Sequence, residues 1–82
     1  MISIVLYSRP GCHLCDEMKA VVNRVARQTP IALSEIDITG DPELEARYGI
    51  EIPVLMLEGK KVAKYRVTEE ALRRMLAGMA RP

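Results

Sequence analysis

The hydrophobic pattern of the chain changes abruptly at Pro10 and Gly11, and the elements on either side of them leave few folds open. Before them, residues 2–6 form a short, nearly continuous apolar run, which is typical of a strand buried on both faces. After them a helical period begins at His13 and continues toward Thr29 and Pro30. The apolar stripe of this helix consists of Leu14, Met18, Val21, Val22 and Val25. A buried strand that leads directly into an amphipathic helix predicts an α/β fold.

Capping and turn residues divide the rest of the chain. Asp41 and Thr68 are side chains that favour helix N-caps, and we expect Gly49 to end the middle helix in a left-handed conformation. The last helix should bury Leu72, Met75, Leu76 and Met79. The predicted elements after the first helix are a strand at 31–38, a short helix at 42–48, a hairpin of strands at 52–57 and 61–67, and a helix from residue 69.

The predicted order of elements is therefore β-α-β-α-β-β-α. A helix joins the first two strands, so these strands should be parallel, whereas the last two should form an antiparallel hairpin. The result is a four-stranded mixed sheet flanked by three helices. With 82 residues, the chain should form a single domain over residues 1–82.

The two cysteines of the chain, Cys12 and Cys15, fall where the first strand ends and the first helix begins. A helix N-terminus carries unpaired N–H groups and a partial positive charge, and both stabilise a thiolate. Cys12 lies nearest this end and is the predicted nucleophile, and Cys15, one turn further on, is the predicted resolving thiol. Arg9 and a protonated His13 would add positive potential, so we expect His13 to tune the thiol pKa.

Composition excludes several classes of function. The formal net charge is +1, so no overall field attracts nucleic acid or an anionic membrane, and no apolar run approaches the roughly 20 residues of a membrane span. The N-terminal segment lacks the charged region and cleavage site of a signal peptide. We therefore expect a cytoplasmic monomer, in a compartment where paired cysteines more often serve catalysis or metal binding than structure.

Two alternatives stay open. A zinc site needs four ligands, and a chain with two cysteines and one histidine would supply them only by sharing the metal or a cluster between two chains. Alternatively, the domain is a binding module that holds a partner in its groove and has weak redox activity. No metal is expected within a single chain.

Two stretches, VLYSRPGCHLC and IPVLMLEGKKV, resemble the glutaredoxin-like branch of the thioredoxin superfamily. The resemblance extends over nearly the whole chain and implies a thioredoxin-like fold. It also implies a thiol-disulfide oxidoreductase that reduces protein or small-molecule disulfides with no organic cofactor. The electron donor would be glutathione or a dithiol of the thioredoxin-reductase type.

The resemblance also assigns residues to a substrate groove. The proline that matches Pro53 is cis in that family and lies against the dithiol, and Ile52 would offer backbone groups to the substrate. Arg9 matches a basic position that can meet a substrate carboxylate.

Three motifs depart from the family pattern. The Gly-Gly pair and acid that grip glutathione are matched by Ala63-Lys64 and Arg66, and the residues before the cis-proline are Glu51-Ile52 rather than Thr-Val. The dipeptide between the cysteines is His13-Leu14 rather than Pro-Tyr. The resemblance therefore covers the dithiol chemistry but does not extend to the glutathione-binding residues.

Overall fold

A computed structural model of the chain describes residues 1–79, except for the side chain of Met79. The predicted burial of Met79 therefore lies outside the described residues. Within this range, no helix is both long enough and apolar enough to cross a bilayer. The elements are β1 (Ile2–Ser8), α1 (His13–Ala26), β2 (Ile31–Asp37), α2 (Pro42–Tyr48), β3 (Val54–Leu57), β4 (Lys60–Lys64) and α3 (Glu69–Met79).

The strands form one mixed sheet in the order β2-β1-β3-β4, which confirms the predicted α/β architecture. Strand β1 is parallel to β2, and β3 is antiparallel to both β1 and β4. Across the sheet, Tyr7 is opposite Val54, and Val54 is opposite Lys64. The end of β1, the start of β3 and the end of β4 therefore meet at one edge of the sheet.

The core lies between one face of the sheet and the helices α1 and α3. Its fully or nearly fully buried side chains are Ile4, Leu6, Leu55 and Leu57 from the strands and Met18, Val22, Val25, Leu72 and Leu76 from the helices. Burial of one such side chain contributes roughly 1.5–3 kcal/mol. The opposite face of the sheet is only half covered. The helix on that face, α2, has seven residues, and none of its own side chains is buried. The expectation that β1 is buried on both faces is therefore met on one face only.

On the half-covered face, the ring of Tyr7 stacks on that of Tyr48 of α2, with centroids 4.5 Å apart and ring planes at 18°. Such a pair contributes about 0.5–1.5 kcal/mol beyond its buried area. This stack connects α2 to the C-terminal end of β1, directly before the segment that carries the cysteines.

The two predicted helix N-caps are confirmed. An Oδ1 atom of Asp41 accepts hydrogen bonds from the first turn of α2, and Thr68 Oγ1 accepts one from the N–H of Ala71 at 3.0 Å. Strand β4 ends earlier than predicted, because Tyr65 has a φ of 68° and cannot continue a strand. Strand β3 begins at Val54 rather than at residue 52.

The predicted left-handed conformation of Gly49 is wrong. Its φ of −52° and ψ of −36° are right-handed helical values, and its N–H donates to Glu45 O at 2.9 Å. Glycine is required here for a different reason, because there is no room for a side chain. A Cβ atom at this position would lie 2.5 Å from Glu45 O and 3.5 Å from Arg9 Nη2.

Replacing Gly49 by alanine should therefore lower the free energy of unfolding by about 1–3 kcal/mol, because the new methyl group forces the end of α2 to shift. Equilibrium unfolding in urea measures this change. The matched control is Gly78→Ala in α3, where a Cβ atom meets no atom within 4 Å. There alanine should raise the free energy by up to about 1 kcal/mol through helix propensity. Equal changes in the two variants would contradict the close approach at Gly49.

Candidate active site

Cys12 lies at the N-cap of α1. Residues 9–12 form a turn in which the Cys12 N–H donates to Arg9 O at 3.3 Å, and Gly11 takes a φ of 74° that favours glycine. Cys12 itself is extended, and its Sγ accepts a hydrogen bond from the Cys15 N–H at 3.1 Å. The sulfur therefore faces the N–H groups of the first helical turn, where a negative charge is stabilised.

Cys12 and Cys15 are joined as a disulfide, with their Cα atoms 5.2 Å apart. This separation is within the usual range for a disulfide. Cys15 is 2% exposed, whereas Cys12 is half-buried. Cys12 is therefore the more accessible of the two residues, and the roles of the two thiols stay predictions.

The Ile52–Pro53 peptide bond is cis, as the family resemblance implies. Pro53 is buried and Ile52 is half-buried. Tyr65 fastens this loop to the end of β4, since its N–H donates to Pro53 O at 2.9 Å and its hydroxyl donates to Ile50 O at 3.1 Å. The sheet register brings the loop to the edge where β1 leads to Cys12.

Arg9 is engaged within the chain. Its Nη2 lies 2.9 Å from Glu45 Oε1, and the two side chains are about 40% exposed. The guanidinium also helps to hold down the pKa of Asp37, after the larger effect of hydrogen bonding from Thr39. Arg9 therefore links the cysteine-bearing turn to α2, and its role in binding substrate stays a prediction.

His13 points into solvent, with 87% of its side chain exposed. Its Nε2 lies 2.6 Å from Glu17 Oε2, one turn along α1. When His13 is protonated, this carboxylate offsets much of the positive potential that the imidazolium would add near Cys12. A tuning effect of His13 on the thiol stays a prediction.

Sequence reasoning missed a polar group beneath the cysteine-bearing turn. Ser8, which is 5% exposed, donates from its hydroxyl to Glu35 Oε2 at 3.1 Å. Lys19 Nζ donates to Glu35 Oε1 at 2.9 Å, and this hydrogen bond lowers the pKa of Glu35 and raises that of Lys19. Ser8 and Lys19 are visible in the sequence as polar residues on their elements. Only the register of β1 on β2 identifies their partner.

A cleft of about 240 Å³ lies beside this group, lined by Ser8, Arg9, Pro10, Gly11, Asp16, Glu35 and Asp37. Among residues 1–79, no three or more His, Cys, Asp or Glu side chains are grouped closely enough to hold a metal ion.

Comparisons with known proteins cover nearly the whole chain. A family model described as a glutaredoxin-like domain (DUF836) matches residues 3–77. The X-ray structure of a structural-genomics target protein from X. campestris is 32% identical, with a TM-score of 0.77 over 92% of this chain and 96% of that one. A mutant thioredoxin from Halobacterium salinarum is 25% identical, with a TM-score of 0.66 over 99% of this chain and 76% of that one.

A curated relative from Dictyostelium discoideum, named as a glutaredoxin-like protein, is 27% identical over 77 residues, which are 87% of this chain and 71% of the relative. Together with the solved structures, these matches confirm the predicted thioredoxin-like fold.

Replacing Lys19 by methionine should lower the free energy of unfolding at pH 7 only slightly, because the Lys19–Glu35 pair is partly exposed. Lys19 lowers the pKa of Glu35 below its usual 4.5 in the folded state, so the pair stabilises fully above that value. Its contribution is lost as the pH falls through the lowered pKa. In urea unfolding across pH, wild type and variant should therefore converge at the acid end. A difference that does not depend on pH would indicate lost packing of the Lys19 alkyl chain instead.

Proposed function

The chain belongs to the glutaredoxin-like domain family, and from this membership we propose that it is a thiol-disulfide oxidoreductase that reduces protein or small-molecule disulfides. The observation that carries the proposal is the position of the half-buried Cys12 at the N-terminus of α1, with its Sγ bonded to that of a buried Cys15. A nucleophilic sulfur at a helix start, backed by a second thiol one turn away, suits disulfide exchange.

The reaction would proceed in two exchanges from the reduced dithiol. The Cys12 thiolate attacks one sulfur of the substrate disulfide, so that bond breaks, a mixed disulfide forms, and the leaving thiolate takes up a proton. Cys15 then loses its proton and attacks Cys12 Sγ, which releases the second substrate sulfur as a thiol. Two electrons and two protons pass from the dithiol to the substrate. A thiol donor, either glutathione or a reductase dithiol, would return the Cys12–Cys15 disulfide to the dithiol.

Two features of the site support this division of roles. An ordinary thiol with a pKa of about 8.5 is only ~3% ionised at pH 7, and lowering the pKa to about 6.5 takes roughly 2.7 kcal/mol of stabilisation for the thiolate. The hydrogen bond from the Cys15 N–H and the helix dipole act in that direction. Because Cys15 is almost completely buried, its natural target is the sulfur of Cys12 rather than a bulky substrate.

The groove for the substrate would lie along Ile52 and Pro53, at the same edge of the sheet as Cys12. The half-buried Ile52 has backbone groups before the cis bond that could pair with an extended substrate segment. Arg9 would assist only if a substrate carboxylate replaced Glu45 as its partner.

The decisive measurement is the rate of alkylation against pH, for the wild type and for Cys15→Ser, together with a redox titration in glutathione buffers. We expect a Cys12 pKa well below 8.5 and a reversible intramolecular disulfide between about −200 and −270 mV. Cys15→Ser should accumulate a mixed disulfide with the substrate, visible by mass.

The matched control is Cys12→Ser, whose remaining thiol is buried and should react slowly with the alkylating agent and form no mixed disulfide. An unperturbed pKa of Cys12, or the absence of an intramolecular disulfide in every redox buffer, would contradict the oxidoreductase.

A further inference from the structure

Glu51 lies directly before Ile52 and Pro53, and two lysines of β4 hold its carboxylate. Lys61 Nζ lies 2.7 Å from Glu51 Oε1, and Lys64 Nζ lies 3.8 Å from Oε2. The Glu51 side chain is 23% exposed. The hydrogen bond from Lys61 lowers the pKa of Glu51 and raises that of Lys61, so both groups are charged at neutral pH.

An irregularity in β4 brings the two lysines to one face of the sheet. Residues three apart in a regular strand point to opposite faces. Here Lys64 is opposite Val54 and Lys61 is opposite Met56, so Val62 is an additional residue in the ladder. Because Val54 and Met56 are two residues apart and share a face, the lysines opposite them share it too.

This face adjoins the proposed substrate groove. Lys64 is opposite Val54, which is opposite Tyr7 on the strand that leads to Cys12. Two strand spacings separate Lys64 from Tyr7, about 10 Å. The next residue, Tyr65, donates its N–H to Pro53 O. Two ammonium groups side by side at this position form a binding site for a carboxylate.

We propose that Glu51 is a specificity residue, which occupies this two-lysine site with a carboxylate of the chain itself. A substrate carboxylate that approached Lys61 and Lys64 would meet a like charge at the positions it needs. Disulfides without a carboxylate beside the reacting sulfur are therefore the preferred class, and oxidised glutathione is disfavoured. The inference rests on the proposed oxidoreductase function and gives its substrate class.

The test compares two substrates, oxidised glutathione and the neutral bis(2-hydroxyethyl) disulfide, by the ratio of their kcat/KM values. In Glu51→Gln this ratio should rise about three- to tenfold over wild type, because the lysines become free to bind a substrate carboxylate. The rise should shrink in about 0.5 M NaCl, where exposed charges are screened. Arg66 is present in both the wild type and Glu51→Gln, so its charge does not contribute to the difference between their ratios.

The matched control is Glu58→Gln, which makes the same change in net charge at the opposite end of β3. Glu58 is exposed, and its Oε1 accepts a hydrogen bond from the Ser3 N–H at 3.0 Å, which glutamine can also accept. The ratio should change less than about twofold there. The double variant Glu51→Gln/Lys61→Gln should lose most of the gain. An equal rise in both single variants, or no rise in Glu51→Gln, would overturn the proposal.

A second readout separates this proposal from the oxidoreductase itself. If the wild type reduces neither disulfide, the proposed function fails, and the specificity is then tested by binding alone. The probe is S-methylglutathione, titrated into the oxidised protein and followed by NMR. Its Kd should fall by a similar factor in Glu51→Gln and stay unchanged in Glu58→Gln. Equal Kd values in wild type and Glu51→Gln would overturn the inference whatever the activity.

Discussion

The antiparallel pairing of β1 with β3 is the constraint on which the site depends. It joins Tyr7 to Val54, and so sets the turn that follows β1 beside the loop that precedes β3. The core fixes this register, because Leu6 is opposite Leu55 and both are fully buried. A slip of one residue would turn these side chains to the half-covered face, so the apolar pattern of two strands determines which loops meet.

Helix α1 adds the second constraint, because its packing and its chemistry lie on one rigid element. Met18, Val22 and Val25 are buried in the core and fix the helix axis against the sheet. At the N-terminus of that helix, the Cys15 N–H then donates to Cys12 Sγ, so no mobile side chain is needed to stabilise the sulfur. Core stability and the position of the reactive group are thus coupled through one element.

The sequence predicts the features that depend on neighbours along the chain. Asp41 and Thr68 cap helices because their side chains reach N–H groups two or three residues away, and Cys12 is placed by the same local logic. The prediction for Gly49 is wrong, because a sequence does not distinguish a glycine required by close packing from one required by a left-handed φ. That Val62 is the additional residue of β4 follows from how β4 pairs with β3, and the sequence of β4 alone does not predict that pairing.

Charges around the dithiol are largely balanced within the chain. Arg9 pairs with Glu45, His13 lies against Glu17, and Glu51 holds two lysines of β4. Paired in this way, side-chain cations contribute little net potential at Cys12 Sγ, and salt would screen what remains. Stabilisation of a thiolate therefore falls mainly to the backbone N–H groups at the start of α1. Backbone dipoles are fixed by the helix, so they favour a thiolate at Cys12 whichever partners the nearby charged side chains find.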